Sequence, residues 1–305
     1  MDRLGIMLHV VTQETENDQL LDEGALGPQR RLYCRELVAR FGHHLALACN
    51  LGEENSNFDQ QRKQIAEYIR HLDPYDHMIC VHTLPRECDE VFEPLLGFPY
   101  FEGPSLNTKQ THQETLKWIE LSAHAGRKWV VCLDELGPPG TGVKPDDQDP
   151  GHDEVRQQHL WGNLMAGGAG VEWYFGYNFA HDDLGCEDFR SRAEMWRQTR
   201  CALEFFHQYL PFSEMQSADE LVNQPEAYCL AKPGEVYAIF LPPGGTARLE
   251  LPAGKFDVRW YDSRGGGPLQ VGGKETVSGP GMVDLGEAPG AKDRDWVVRV
   301  QRADD

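Results

Sequence analysis

The fold class is decided by the stretch HLALACNLGEEN, residues 44–55. There an apolar run of strand length ends in adjacent carboxylates, and the stretch WVVCLDELG at 129–137 has the same order. Around both stretches, short apolar runs alternate with amphipathic segments, which is typical of parallel α/β folds. This alternation predicts a (β/α)8 TIM barrel over residues 1–212.

Six strands are predicted in this barrel, whereas a closed barrel of this type has eight. They cover residues 4–11, 44–51, 77–83, 100–105, 128–133 and 170–177. The sequence therefore predicts a barrel that lacks its first two strands. Such a chain is a fragment, the product of a misplaced start codon, or a protein completed by another polypeptide.

Proline and glycine residues mark the ends of helices that are predicted between these strands. Pro28 suits a first helical turn, and Gly42 can close that helix. Another helix has to stop before Pro74, because proline disfavours a helical conformation in the residue before it. The predicted helices cover residues 28–41, 59–72, 111–125, 155–165 and 187–209.

After Pro211 the chain changes to short β-rich runs separated by glycine and proline. Tight turns at roughly ten-residue spacing are typical of an antiparallel sandwich. We therefore expect a second domain, a C-terminal antiparallel β-sandwich over residues 218–303, with the boundary near 212–222.

The net charge of −20 opposes binding to nucleic acid or to an anionic membrane, since both require a basic surface. A neutral polymer such as a polysaccharide fits better. The eight cysteines include no CxxC pair, and several lie in apolar runs, so we interpret them as buried free thiols. No apolar run approaches the ~18 residues of a membrane span, and the N-terminal residues lack the order of a signal peptide.

Glu53, Glu54, Asp134 and Glu135 follow the two apolar strands. In a parallel barrel the C-terminal strand ends form the active face, so acids at these ends lie over one pocket. Glycosidic bond cleavage needs two carboxyl groups, and a retaining enzyme holds them about 5–5.5 Å apart. The alternative is that all four are solvated loop acids of an acidic chain.

These residues carry a resemblance to clan A glycoside hydrolases. NLGEEN resembles the fourth-strand motif of the clan, which usually ends in Asn-Glu, and LDELG resembles its seventh-strand Glu-x-Gly motif. The resemblance implies that Glu54 is the acid/base and Glu135 the nucleophile. The chain departs from the pattern at Glu53, where the clan has asparagine, and Glu53 is the second choice for the acid/base.

Other residues near strand ends are candidates for substrate binding. GGAGVEWYFGY at 167–177 resembles the eighth strand of the clan, and Trp173 matches its sugar-stacking tryptophan, with a core tryptophan as the alternative. His82 could contact substrate or tune an acid, and a structural histidine is the alternative. The remaining candidates are His9, Gln13, Glu14, Asn50 and Glu53.

The C-terminal segment resembles the small β domain that family catalogues name a collagen-binding domain, which often follows apiosidase-like barrels. A packing role against the barrel is the plainer interpretation. Trp260 and Tyr261 are predicted to be exposed aromatics that could serve as a sugar platform.

Other kinds of site have weaker support. The loop after the second carboxylate contains oxygen ligands that suit calcium, but their spacing is not that of an EF-hand, so no metal is predicted beyond this weak candidate. HExxH, GxSxG and phosphate-loop motifs do not occur, which opposes zinc proteases, serine hydrolases and nucleotide enzymes. The acids of the loop are Asp146, Asp147, Asp149 and Asp153.

The sequence therefore predicts a retaining glycoside hydrolase that cleaves a polysaccharide or oligosaccharide without a cofactor. The resemblance implies a secreted or periplasmic enzyme whose export signal lies in the missing N-terminal part. The alternative is a non-catalytic carbohydrate-binding protein or an inactive truncated remnant of such an enzyme.

Overall fold

The computed structural model describes residue 3 and residues 7–303. Its contacts divide the chain into two compact units, which we call unit 1 and unit 2. Unit 1 comprises Met1–Thr108 and Lys117–Glu135, and unit 2 comprises Lys109–Leu116 and Leu136–Asp305. The domain boundary expected near residues 212–222 stays a prediction.

In unit 1, five parallel strands pair in chain order. The strands are β1 (Leu8–Val11), β2 (Leu47–Asn50), β3 (Met78–His82), β4 (Gly103–Asn107) and β5 (Cys132–Glu135). The helices are α1 (Pro28–Phe41), α2 (Asp59–Leu72), α3 (Cys88–Phe92) and the part of α4 (Thr111–His124) from residue 117, with 3₁₀ turns at Asp22–Gly24, Pro85–Glu87 and Glu93–Leu95. The alternation of strands and helices confirms the α/β class.

The ends of the first two helices agree with the sequence. Pro28 begins α1, and the N–H of Gly42 donates to the carbonyl of Val38 where that helix ends. At the start of α2, the backbone N–H of Phe58 donates to Oε1 of Gln61 at 3.0 Å. Local capping chemistry therefore fixes both boundaries.

The strands are shorter than predicted. The strand expected at 4–11 includes residues 4–6, which lie outside the described residues, and β1 starts at Leu8. The strand expected at 128–133 is displaced to β5, because the N–H of Trp129 donates to Oγ of Ser122 in α4 at 2.9 Å instead of pairing in the sheet. As a result, Glu135 is the last residue of a strand and not a loop residue.

The interior of the sheet in unit 1 is apolar. Ile79, Val81, Leu106 and Leu133 are at most 1% exposed, as expected for a parallel sheet that is covered on both faces. Trp118 packs edge-on against Phe92 and stacks on Trp129, with ring centroids 5.2 and 6.0 Å away. This aromatic cluster is closely packed and includes Trp129, which precedes β5.

Unit 2 begins with helical segments and ends with a sheet. The helical segments are a π-type helix (Val155–Trp161), α5 (Gly162–Met165), α6 (Ala193–Tyr209) and 3₁₀ turns at Phe189–Arg192, Phe212–Glu214 and Asp219–Leu221. The strands are β6 (Gly170–Val171), β7 (Gln216–Ser217), β8 (Tyr228–Lys232), β9 (Val236–Leu241), β10 (Thr246–Tyr261), β11 (Thr276–Glu287) and β12 (Trp296–Arg302). The last six strands form one antiparallel sheet in the order β11-β10-β12-β9-β8-β7.

The aromatic pair predicted to be exposed in this sheet is buried. Trp260 is 0% and Tyr261 1% exposed. Trp260 lies in the apolar core of the sheet, while the hydroxyl of Tyr261 donates to the carbonyl of Cys201 in α6 at 2.7 Å. Because α6 covers the other face of β10, neither side chain can serve as an exposed sugar platform.

Two further expectations for unit 2 are wrong. The strand expected at 170–177 is limited to β6, because the backbone then turns and the N–H of Phe175 donates to the carboxylate of Asp183 at 2.8 Å. Helical periodicity in the segment 187–210 predicts that Phe189, Ala193, Trp196, Leu203, Phe206 and Leu210 face inward. Phe206 and Leu210 are buried, whereas Phe189, Trp196 and Leu203 are 57%, 39% and 43% exposed. Among the described residues, no helix combines the length and apolarity needed to cross a membrane.

Candidate active site

Three predicted site residues come together at the strand ends of unit 1. His82 ends β3, Glu135 ends β5, and Glu54 lies four residues beyond the end of β2. One carboxylate oxygen of each glutamate and one ring nitrogen of His82 all lie within 4.8 Å of one another. The parallel sheet thus brings together two carboxylates from separate strands.

Glu135 is held by two hydrogen-bond donors. Nδ2 of Asn107 donates to its Oε2 at 2.6 Å, and Nε2 of His82 lies 3.3 Å from the same oxygen. Both partners use Oε2, which leaves Oε1 outside these two contacts. Asn107 and His82 together fix the position of this oxygen.

The position of the His82 ring is fixed by burial and by a contact with Ser105. Its side chain is 3% exposed, and Oγ of Ser105 lies 3.4 Å from its Nδ1. Burial lowers the pKa of His82, but the hydrogen bond to Glu135 and the charges of Asp134 and Glu53 outweigh burial, so the pKa is raised.

Glu54 has a different environment. Burial raises the pKa of its carboxyl, and the nearby negative charge of Glu135 raises it further, while His82 acts in the opposite direction. Glu135 and Glu54 thus differ in their surroundings: one carboxyl accepts hydrogen bonds, and the other is held toward its protonated form. This is the division that an acid and a nucleophile require.

The other predicted residues of unit 1 lie near the same strand ends. Glu14 and Glu53 form a parallel bridge between the segments that follow β1 and β2. Nδ1 of His9 lies 3.8 Å from a carboxylate oxygen of Asp134. Asn50 is fully buried, and its Oδ1 accepts from the N–H of Gly52 at 3.0 Å, so it shapes the turn that leads to the glutamates.

Trp173 lies in unit 2, where it is 7% exposed and donates from Nε1 to Oγ1 of Thr199 at 2.9 Å. Its role as a sugar-stacking residue stays a prediction.

The acids of the weak calcium candidate have local partners. Asp146 accepts from Nε2 of His152 and from the backbone N–H of Glu194, at 2.9 and 3.0 Å. Asp149 accepts from the N–H of His152 at 3.1 Å, and Asp153 pairs with Arg156 at 2.6 Å. These three acids therefore form hydrogen bonds or ion pairs with nearby protein groups, and we propose no calcium site in this loop.

Glu54, His82 and Glu135 also offer the ligand types that zinc accepts. Asn107, however, directs an N–H at Oε2 of Glu135, and a donor at that oxygen opposes a cation there. The arrangement therefore fits a carboxylate held by hydrogen-bond donors better than a metal centre.

Asn107 and Ser105 were missed by sequence reasoning. Both belong to β4, the strand next to β5. The available signal was the sequence GPSLN, in which Ser105 is the last residue of the predicted strand and Asn107 lies two residues beyond it.

No protein-family model matches the chain, and no curated protein matches it. Among solved structures, a glycoside hydrolase family 5 protein from Bacteroides vulgatus is similar, with a TM-score of 0.71 and 14% identity over 98% of this chain and 71% of that one. A structure described as a glycoside hydrolase has a TM-score of 0.73 and 13% identity, over 99% of this chain and 75% of that one. The chain thus has a fold that is found in glycoside hydrolases.

Proposed function

We propose that the protein is a retaining glycoside hydrolase acting on a polysaccharide or oligosaccharide, with Glu54 as the acid/base and Glu135 as the nucleophile. The observation that carries this proposal is the closeness of the two carboxylates, which bring oxygens within 4.8 Å of each other. Retaining enzymes hold the two carboxyl groups about 5–5.5 Å apart, whereas inverting enzymes separate them by about 6.5–9.5 Å. The approach of one oxygen of each group to within 4.8 Å supports the closer arrangement. The likeness in fold to glycoside hydrolases supports the same reaction class.

In the first step, Glu54 gives its proton to the glycosidic oxygen while Glu135 attacks the anomeric carbon. The bond to the leaving sugar breaks, and a glycosyl ester forms on Glu135. In the second step, the Glu54 carboxylate takes a proton from water as that water attacks the anomeric carbon, and the ester bond from Glu135 to that carbon breaks. Release of the sugar restores both carboxyl groups to their starting states.

The surroundings of each glutamate suit these roles. Burial and the charge of Glu135 keep a proton on Glu54 to higher pH than usual. Asn107 and His82 hold Oε2 of Glu135, so we assign Oε1 as the attacking oxygen. As the ester forms, the negative charge leaves Glu135, and its repulsion of a carboxylate at Glu54 falls, which prepares Glu54 to act as a base.

The reaction class is tested by the stereochemistry of the first product. Oligosaccharides derived from cellulose, mannan, xylan and chitosan are incubated with the enzyme, and proton NMR follows the anomeric signals before mutarotation. Retention of configuration is expected. An inverted first product contradicts the assignment of Glu135 as nucleophile, and binding of a sugar without any hydrolysis would favour the carbohydrate-binding alternative.

A further inference from the structure

The backbone at Glu54 is in an unusual conformation. Its φ is 47°, in the left-handed region that residues with a side chain adopt only where their surroundings enforce it. The surroundings here are the segment that follows β1. This segment contacts the Glu54 loop, residues 51–57, along most of its length.

Gln13 joins the two ends of the Glu54 loop. Its Nε2 donates to the carbonyl of Leu51 at 2.8 Å and to Oδ1 of Asn57 at 2.5 Å. Its backbone carbonyl accepts from the N–H of Glu53 at 3.0 Å. Gln13 is 5% and Asn57 3% exposed, so water does not compete easily for these bonds.

The middle of the loop is held by two other side chains. Oγ1 of Thr15 donates to the carbonyl of Glu54 itself at 2.5 Å. The carboxylate of Asp18 accepts from both the N–H and the Oγ of Ser56, at 2.6 and 2.7 Å. The backbone on each side of the Glu54 side chain is therefore fixed.

Arg30 supports this arrangement from α1. It is 2% exposed, and its guanidinium donates to Oε1 of Gln13 and, at 2.6 Å, to the backbone carbonyl of Asp18. A buried cation is costly unless it is well satisfied, so its presence beneath a loop calls for an explanation. Its contact with Oε1 orients the amide of Gln13 so that Nε2 faces the Glu54 loop.

We propose that Gln13, Thr15 and Arg30 are positioning residues for the general acid, which they serve by fixing the backbone conformation at Glu54. This inference rests on the proposed role of Glu54. Proton transfer requires the carboxyl within about 2.6–3.2 Å of the leaving oxygen, and a displacement of about 1 Å at a reacting group can lower a rate on the order of a hundredfold. None of the three residues touches the reacting atoms in this account.

Two substitutions test the proposal, each with a matched control. Thr15→Val removes the hydroxyl that bonds the Glu54 carbonyl, and Thr15→Ser keeps it. Thr15 is exposed, so neither change threatens the core. Arg30→Met removes the buried guanidinium, and Arg31→Met makes the same change at the neighbouring exposed arginine of α1.

The readout is the dependence of kcat/KM on the leaving group. Each variant is assayed with the 2,4-dinitrophenyl and the phenyl glycoside of whichever of glucose, mannose, xylose or glucosamine the wild type cleaves. Dinitrophenolate leaves without a proton, whereas phenolate needs general acid help. Thr15→Val and Arg30→Met should lower kcat/KM on the phenyl glycoside about tenfold and change the dinitrophenyl rate less than about twofold.

Equal losses on both substrates, or no loss on either, would overturn the proposal, since a merely structural defect does not distinguish leaving groups. Thr15→Ser and Arg31→Met should match the wild type on both. Glu54→Ala separates this inference from the proposed function. If Glu54→Ala shows the leaving-group dependence and the positioning variants do not, only the inference fails; if Glu54→Ala lacks it, the role of Glu54 fails first.

Discussion

Charged side chains are used in opposite ways in the two units. In unit 2, Nε and NH2 of Arg156 each donate to a carboxylate oxygen of Asp295 at 2.8 Å, and the side chains are 1% and 2% exposed. In unit 1, Glu54 and Glu135 bring like charges together, and the Glu135 side chain is 20% exposed. The paired charges satisfy each other, whereas the two acids raise each other's energy when both are ionised.

This difference distinguishes a charge pair that stabilises the fold from a pair of acids that is suited to a reaction. A buried pair that satisfies its own charges is expected to matter for folding. Two acids held close together cost folding energy and give one of them an altered pKa, which is the property that a catalyst needs. Substitutions in the two places should therefore have opposite consequences.

The largest effect is expected for Glu135→Gln. Loss of the carboxylate that we propose as the nucleophile should lower kcat/KM by at least ~10³-fold, while the free energy of unfolding stays the same or rises because the repulsion with Glu54 disappears. Steady-state kinetics and urea unfolding measure the two quantities. Glu67→Gln, at an exposed position of α2, is the matched control; a large loss of stability in Glu135→Gln would contradict the comparison.

Asp295→Ala should have the reverse effect on folding. It leaves the guanidinium of Arg156 buried without its charged partner, which costs about 3–5 kcal/mol. Asp295→Asn keeps an acceptor for one of the two bonds and should lose less. Urea unfolding of both variants tests this, and a loss below ~1 kcal/mol in Asp295→Ala would show that the pair is not a stabilising contact.

His159 is expected to make the folding stability of unit 2 depend on pH. Burial lowers the pKa of His159 to about 4, and its Nδ1 lies 2.7 Å from Oγ1 of Thr111. In the unfolded chain, His159 takes up its proton near pH 6.5. The contribution of neutral His159 to folding stability is therefore complete above pH 6.5. It is lost as the pH falls from 6.5 toward 4, and the loss is at most ~3 kcal/mol. His159→Gln should flatten that part of the pH curve of unfolding, and an unchanged curve would exclude His159 as its cause.

The smallest effect concerns the ionisation of Glu54. Because the charge of Glu135 raises its pKa, Glu135→Gln should lower the pKa of Glu54, and Glu87→Gln should lower it less. Carbon-13 NMR titration of the glutamate carboxyl carbons measures both shifts. A lower pKa means that Glu54 loses its proton at a lower pH. A rise of the Glu54 pKa in Glu135→Gln would contradict the coupling of the two acids.

The candidate carboxylates could be predicted because their signals are local. An apolar run followed by an acid places Glu54 and Glu135 at strand ends, and the parallel rule places those ends on one edge. The ends of α1 and α2 were predicted for the same reason, since proline and glycine act on adjacent backbone.

The contacts that tune the site could not be predicted. Asn107 reaches Glu135 only because β4 and β5 are neighbours in the sheet, and Arg30 reaches Gln13 across 17 positions. Similarly, the exposure of Tyr261 depends on α6 covering a second face of β10, which strand alternation does not reveal.

The central claim is that Glu135 forms a covalent bond to the sugar, and trapping of that intermediate tests it most directly. The folded protein is incubated with activated 2-deoxy-2-fluoro glycosides of several sugars, and intact mass spectrometry followed by peptide mapping locates any adduct. An adduct of one sugar on Glu135 is the predicted result. An adduct on another residue, or no adduct from any sugar while the wild type hydrolyses its substrate, would contradict the account.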